Sequence, residues 1–196
     1  SRGMAVYRGK DGTVQWRKDD LKCSGPCILH NDLIITNSNA YSESAGAFYL
    51  ESGDPYWIDN PLTGQPEQWK ITRAYGCNTI LASENLLTFR SGAAGFYDLT
   101  DHGGTGNLGG FKSGCTGNLI AAGGVLNAPD YTRTCSCSYQ NQTSLALVHM
   151  PEIEVWTVNV MAKAEADGQH VHSLGINLGA PGQRRDAQGL LWFESP

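Results

Sequence analysis

The chain has 196 residues, a formal net charge of −5 and only 17% charged residues. This acidic and sparsely charged composition contains no basic patch, so nucleic acid and anionic membrane surfaces are not expected as partners. No apolar run approaches the roughly 18 residues that a membrane-spanning helix needs.

A short motif recurs four times, and each copy contains an apolar triplet, a turn and an aromatic residue. The copies cover residues 5–16, 47–57, 95–111 and 145–156. A repeated strand, turn and docking aromatic residue is typical of radially repeated β-sheet proteins.

A second pattern precedes the later copies of this motif. Cys23, Cys77 and Cys115 are each followed by an apolar pair and a small polar residue. Each unit therefore predicts three strands separated by turns, because short apolar runs alternate with Gly, Asn, Asp and Ser. No segment has a sustained helical periodicity, so the predicted fold class is all-β.

The segment 47–57 resembles the Ala-x-Asp-x-x-x-Gly-x-x-x-Trp blade motif of the pyrroloquinoline-quinone-type β-propeller proteins, with Leu50 and Glu51 in place of the usual Asp region. The runs 87–92 and 128–133 are similar to a subgroup of bacterial quinoprotein-like propellers. The resemblance covers roughly residues 1–157 and implies four-stranded antiparallel blades. It implies less about activity, because one fold hosts many functions.

The chain length limits the number of blades. One blade takes roughly 40–50 residues, so residues 1–157 are predicted to form a partial propeller of about four blades. Quinoprotein propellers close with more blades around an axial cofactor, so the quinone is not expected in this fragment. Open sheet edges predict a homo-oligomer or closure into a four-bladed ring, and the alternative is a monomer whose tail covers one edge.

The pattern changes after Trp156. Residues 158–196 are predicted to be a linker and the truncated start of a second β-domain. This tail resembles the opening of a ligand-binding β-sandwich that follows such propellers. Its apolar residues are expected to pack against the propeller.

The six cysteines favour disulfides in an exported domain, and the predicted location is periplasmic or extracellular. Six cysteines permit 15 connectivities. The phase of the repeat places Cys77 and Cys115 in neighbouring blades, which makes them the preferred pair. Structural or free thiols are favoured over metal ligation. The adjacent-cysteine ring of some quinoproteins has no counterpart here, which argues against quinone chemistry.

The most polar loop, residues 98–107, is the first candidate site. Asp98, Asp101 and Asn107 offer the oxygen ligands that calcium prefers. His102 is the predicted general base, beside Asp101. The alternative is an exposed hairpin in which Asp and Asn side chains hydrogen-bond to their own backbone.

A second candidate site is predicted to bind substrate. It combines two residues of one loop with two asparagines at similar blade positions: Asp130, Arg133, Asn78 and Asn118. If these side chains face a common axis, they form a polar ring for a cation or a sugar. The alternative is that they cap strand ends through local hydrogen bonds.

Three functions remain open at this point. The leading hypothesis is a calcium-assisted hydrolase of a small lactone, ester or sugar-derived substrate, like some six-bladed propellers that hydrolyse lactones with an axial calcium. The alternatives are a glycan- or protein-binding module and a fragment of a quinone-dependent oxidoreductase. A Gly-x-Ser-x-Gly elbow is absent, and no Walker lysine follows the glycines at 103–106. The expected ligand is a small molecule or a carbohydrate.

Overall fold

The computed structural model describes residues 3–21, 23, 25–37, 45–74, 76, 78–100, 102–108, 111, 119–129, 144–148, 150, 172–178, 184–186 and 188–195. Within these ranges the chain forms β-strands and no helix, which confirms the all-β prediction. Accordingly, this part of the chain contains no helix that is long and apolar enough to cross a bilayer.

The strands in chain order are β1 Met4–Tyr7, β2 Val14–Lys18, β3 Ile28–His30, β4 Leu33–Ile35, β5 Ala45–Tyr49, β6 Trp57–Asp59, β7 Pro66–Gln68, β8 Lys70–Ile71, β9 Leu81–Ala82, β10 Leu86–Ser91, β11 Ala93–Asp98, β12 Thr105–Asn107, β13 Ile120–Ala122, β14 Val125–Ala128, β15 Leu145–Val148, β16 Gly175–Leu178, β17 Arg184–Arg185 and β18 Leu191–Ser195.

These strands form several small, mostly antiparallel sheets. Two have four strands, in the orders β3-β4-β5-β8 and β12-β11-β10-β9, and a third has the order β13-β14-β15. The hairpins β1-β2 and β6-β7 form separate two-stranded sheets. In the last sheet, β18 pairs in parallel with β16 and antiparallel with β17.

The main core lies between the two four-stranded sheets. Its fully buried members come from both sheets and include Ile35, Ile71, Leu87 and Phe89. Because both faces of β10 are covered, this strand is an almost continuous buried run rather than an alternating one. A smaller cluster packs Ala94 against residues near the third sheet.

The first predicted aromatic residue docks on the glycine turn of the next motif copy. A Cβ atom at Gly53 would lie 2.7 Å from the indole of Trp16, and the φ angle of Gly53 is +75°. Trp16 Nε1 also donates to the carbonyl of Leu50 at 2.8 Å. Glycine is therefore required here both by the backbone conformation and by the close approach of the ring.

The tail contacts the β6-β7 hairpin. The backbone N–H of His172 donates to the carbonyl of Leu62 at 2.8 Å. The imidazole of His172 lies 3.8 Å from the position that a Cβ of Gly64 would take. This contact involves the start of the tail only. Leu174, Ile176 and Leu178 are 48%, 57% and 79% exposed, so these apolar residues of the tail do not pack against the preceding part of the chain as expected. Residues 158–171, the first part of the segment predicted to be a linker and the start of a second β-domain, lie outside the described residues.

Candidate functional site

A cavity of about 250 Å³ lies where the β3-β4 turn meets the loop between β11 and β12. Its lining combines aromatic rings with groups that can form hydrogen bonds. The aromatic residues are Tyr49, Tyr56 and Trp69, and the polar residues are His30, Asn31, Asp32 and His102. Rings and convergent polar groups in one cavity are typical of small-molecule sites.

The β3-β4 turn places two of these polar residues. His30 pairs with Leu33, so Asn31 and Asp32 form a two-residue hairpin loop. Asn31 has a φ angle of +53°, a conformation that asparagine adopts more readily than most residues. The carbonyl of Asp32 accepts a hydrogen bond of 2.7 Å from the N–H of Leu50, which fixes the loop against the end of β5.

His30 connects this turn to the next sheet. Its Nε2 lies 2.7 Å from the carbonyl oxygen of Glu84, in the turn between β9 and β10. A carbonyl only accepts, so His30 donates through Nε2 and its Nδ1 is the acceptor in the neutral ring. His30 therefore joins two sheets at the edge of the cavity.

A buried hydrogen-bond chain orients His102. Trp69 Nε1 donates to the hydroxyl of Tyr97 at 2.8 Å, and that hydroxyl lies 3.1 Å from Nδ1 of His102. When Tyr97 donates to Nδ1, the neutral ring carries its proton on Nε2. When Nδ1 carries the proton, Tyr97 accepts and Nε2 can act as a base. This series of hydrogen bonds is compatible with both tautomers of His102 and holds the imidazole ring in one position.

Tyr56 lies at the centre of the aromatic group. Its ring centroid is 5.8 Å from that of Tyr49, 6.3 Å from that of Trp69 and 6.2 Å from that of His102. Burial raises the pKa of the Tyr56 hydroxyl, and the neighbouring Tyr49 and Asp32 add to this effect. Tyr56 therefore presents a neutral phenol to the cavity.

Of the predicted calcium ligands, Asp98 and Asn107 are described, and these two are not brought together. Asp98 Oδ1 accepts from the N–H and the hydroxyl of Thr100, at 2.8 and 2.6 Å, as in the alternative of local turn bonding. Asn107 faces Gly95 across β11-β12, three residues from Asp98, and three residues of strand span about 10 Å. The Asn107 amide donates to the carbonyl of Ser91 at 2.8 Å. Asp101 lies outside the described residues.

Among the described residues of this loop that were predicted to bind calcium or act in catalysis, His102 lines the cavity, whereas Asp98 and Asn107 do not. The φ angle of His102, +52°, belongs to the tight turn that follows β11. Among the described residues, no group of three or more His, Cys, Asp and Glu side chains is arranged to hold a metal ion.

Asn78, from the second predicted site, lies in a buried polar cluster and is 4% exposed. Its Oδ1 accepts from the backbone N–H of Arg90 at 3.1 Å and from Nη2 of Arg73 at 3.2 Å. These bonds correspond to the alternative in which the asparagine serves the local structure. Asn118, Asp130 and Arg133 lie outside the described residues, as do Cys77 and Cys115.

Sequence reasoning missed most of the cavity. It assigned Trp57 as the docking aromatic residue of the second copy, yet Trp57 is 52% exposed while Trp69 is 2% exposed. The sequence motif does not single out Tyr56, which is half-buried and lines the cavity, whereas the adjacent Trp57 is exposed. Strand alternation from Tyr56 to Trp57 is the one signal that predicts opposite environments for the two rings.

No protein-family model matches the chain, and comparisons with curated proteins and with solved structures give no match.

Proposed function

We propose that the cavity binds a small hydroxylated ligand, most simply one sugar ring. The observation that carries this proposal is the convergence of Tyr49 and Tyr56 with Asp32 and His102 on one cavity. The C–H face of a sugar packs on an aromatic ring, and its hydroxyl groups bond to carboxylate and imidazole groups. The volume of about 250 Å³ is just below the roughly 300–1,000 Å³ of sites for drug-sized ligands, which favours a single ring.

We place this site on a β-propeller of the quinoprotein type, in keeping with the resemblance of residues 47–57. Support comes from two successive four-stranded antiparallel sheets, the second with up-and-down strand order, followed by a third sheet. Neighbouring sheets meet through β3 with β9 and through β10 with β13. The docking of Trp16 on Gly53 joins the first copy of the motif to the second, as expected of neighbouring repeats.

A titration of the purified chain with a panel of monosaccharides, followed by calorimetry and by NMR, tests the binding proposal. The variants Tyr56→Ala and Asp32→Ala are expected to weaken binding at least tenfold, because they remove a stacking surface and a hydrogen-bond acceptor. The third cavity variant is His102→Asn. Asparagine tolerates the positive φ angle at this position, so the change removes the imidazole without straining the turn.

The exposed His172 provides a matched control, because it lies outside the cavity lining. The variant His172→Asn is expected to bind as the parent does. Equal binding by the parent and all three cavity variants contradicts this site, and no binding of any sugar contradicts the ligand class.

A second candidate function is calcium-assisted hydrolysis of a lactone, an ester or a sugar-derived substrate. The placement of His102 in the cavity favours it, since an imidazole in the lining, held by Tyr97 through Nδ1, is a candidate for proton transfer. Turnover that EDTA removes, calcium restores and His102→Asn abolishes supports this function. Binding without turnover leaves the chain a binding module.

Calcium binding by the loop 98–107, self-association through open sheet edges, and a periplasmic or extracellular location remain predictions from the sequence. A fragment of a quinone-dependent oxidoreductase remains the third functional alternative, with dye reduction in the presence of the quinone as its test.

A further inference from the structure

A second cavity, of about 620 Å³, lies between the β9-β10 turn and the β13-β14 hairpin. It shares no lining residue with the first cavity, around Tyr56 and His102. The volume lies within the roughly 300–1,000 Å³ that is usual for small-molecule sites. Most of the lining is apolar, and its large apolar side chains include Leu86, Leu108, Phe111, Leu126 and Leu147.

The third sheet supplies one part of this lining. Ala121 pairs with Leu126, and Leu126 pairs with Leu147, so these three side chains form a row on one face of the sheet. Ala128 and Leu145 form the next row on the same face, and this row packs into the smaller core cluster. The row of Ala121 is only half-buried, because the cavity lies beside it.

The second four-stranded sheet positions another part of the lining. The N–H of Leu108 donates to the carbonyl of Ala94 at 2.9 Å, and the N–H of Ala94 donates to the carbonyl of Phe111 at 2.8 Å. These bonds hold Leu108 and Phe111 against β11. Both side chains are half-buried and line the cavity. An apolar ligand would therefore cover apolar surface that the fold leaves in contact with water.

The β9-β10 turn adds one charge to this apolar lining. The carbonyl of Glu84 lies 2.7 Å from Nε2 of His30, and the carbonyl of Asn85 accepts from the N–H of Leu99 at 2.9 Å, so the backbone of the turn is fixed. Glu84 is the one lining residue that is charged near neutral pH. Within the described part of the chain, its exposed carboxylate has no ion-pair partner.

We propose that the second cavity binds a small cationic amphiphile, whose alkyl or aryl body contacts the apolar lining and whose ammonium group lies beside the Glu84 carboxylate. Charge complementarity decides the class of ligand, because an unpaired carboxylate attracts a cation and repels an anion. Water screens this exposed carboxylate, so the charge is expected to change affinity by about two- to fivefold. The proposal does not depend on what the first cavity binds.

Titration of the full chain with three octyl compounds tests this ligand class. Octylamine, octanol and octanoate share one alkyl chain and carry a positive, a zero and a negative charge near neutral pH. Calorimetry and NMR measure their affinities, with each compound kept below its micelle concentration. Octylamine is expected to bind most tightly and octanoate most weakly.

The variant Glu84→Gln removes the charge and keeps the size of the side chain. It is expected to bind octylamine no more tightly than octanol. Glu51→Gln is the matched control, because Glu51 is also exposed and lies outside both cavities. The control changes the net charge equally and is expected to keep the preference for octylamine.

The variant Ala121→Phe tests the location of the site. A larger side chain in this row fills the cavity and is expected to weaken the binding of all three compounds by roughly tenfold or more, because the alkyl chain loses its apolar surroundings. Ala146→Phe is the matched control. Ala146 is exposed on the opposite face of the same sheet, because it follows Leu145 directly in β15.

Several outcomes overturn the proposal. The ligand class is wrong if octanol or octanoate binds as tightly as octylamine, or if Glu84→Gln keeps the preference. The location is wrong if Ala121→Phe binds octylamine as the parent does, or if Tyr56→Ala in the first cavity loses this binding instead. Failure of all three compounds to bind overturns the site itself. If circular dichroism shows that Ala121→Phe is unfolded, the comparison of Glu84→Gln with Glu51→Gln decides.

Discussion

The indole nitrogen of Trp69 donates a hydrogen bond of 2.8 Å to the hydroxyl of Tyr97. Trp69 directly precedes β8 of one four-stranded sheet, and Tyr97 lies in β11 of the next. Both residues are 2% exposed, and their rings meet edge to face at 5.3 Å. Because the same hydroxyl contacts His102, the packing of two sheets positions an imidazole in the cavity.

The variant Tyr97→Phe is expected to lower the free energy of unfolding by about 1–3 kcal/mol, because the N–H of Trp69 then lies buried without this acceptor. It is also expected to weaken ligand binding, since His102 loses the group that orients it. Urea denaturation and the sugar titration measure the two effects.

Tyr49→Phe is the control for this change, because Tyr49 also lines the cavity but is 37% exposed. Removing its hydroxyl is expected to alter stability by less than about 0.5 kcal/mol. Equal losses of stability in the two variants contradict the role assigned to the Trp69–Tyr97 bond.

The second prediction concerns the contact between Trp16 and Gly53. Gly53→Ala is expected to cost about 1–2 kcal/mol for the positive φ angle and about 1–3 kcal/mol more for the clash with the indole. Gly12→Ala separates these costs, because Gly12 has a φ angle of +72° and no atom within 4 Å of its Cβ position. Thermal unfolding with tryptophan fluorescence compares them, and equal Tm values contradict the docking.

Asp186 supplies a prediction about acid. Its Oδ2 accepts from Trp192 Nε1 at 2.8 Å, and its Oδ1 accepts from the N–H groups of Leu190 and Gln188 at 2.9 Å. These bonds, the one from Trp192 foremost, hold the pKa of Asp186 below its usual value. The folded state therefore binds this proton less readily than the unfolded state, so the stabilisation is present above the ordinary carboxyl pKa and is lost as the pH falls through the folded pKa.

The NMR signal of the Trp192 indole N–H follows this transition during acid titration. It is expected to move with a midpoint below the ordinary carboxyl pKa. The variant Asp186→Asn is the control, and its indole signal is expected to stay constant over the same range. A midpoint at the ordinary value in the parent is evidence against the hydrogen-bonded carboxylate.

The candidate sites show where pattern reasoning stops. The alternative in which Asp98 hydrogen-bonds within its own turn is confirmed. It is predictable from sequence, because an aspartate two residues before a threonine can accept from that residue's backbone N–H. Grouping Asp98 with Asn107 was a matter of proximity along the chain. Asp98 ends β11 and Asn107 ends β12, so the antiparallel pairing places them at opposite ends of this strand pair, and only the register of β11 with β12 reveals that distance.

The sequence by itself determined the all-β class and the glycine turns, because strand alternation and turn chemistry act within short stretches of the chain. Only the tertiary structure decided that Asp32, Tyr56, Trp69 and His102 share a cavity. These residues come from two sheets and from loops far apart in the chain. Their meeting depends on strand pairing and sheet packing, which buried apolar contacts decide collectively rather than any local pattern.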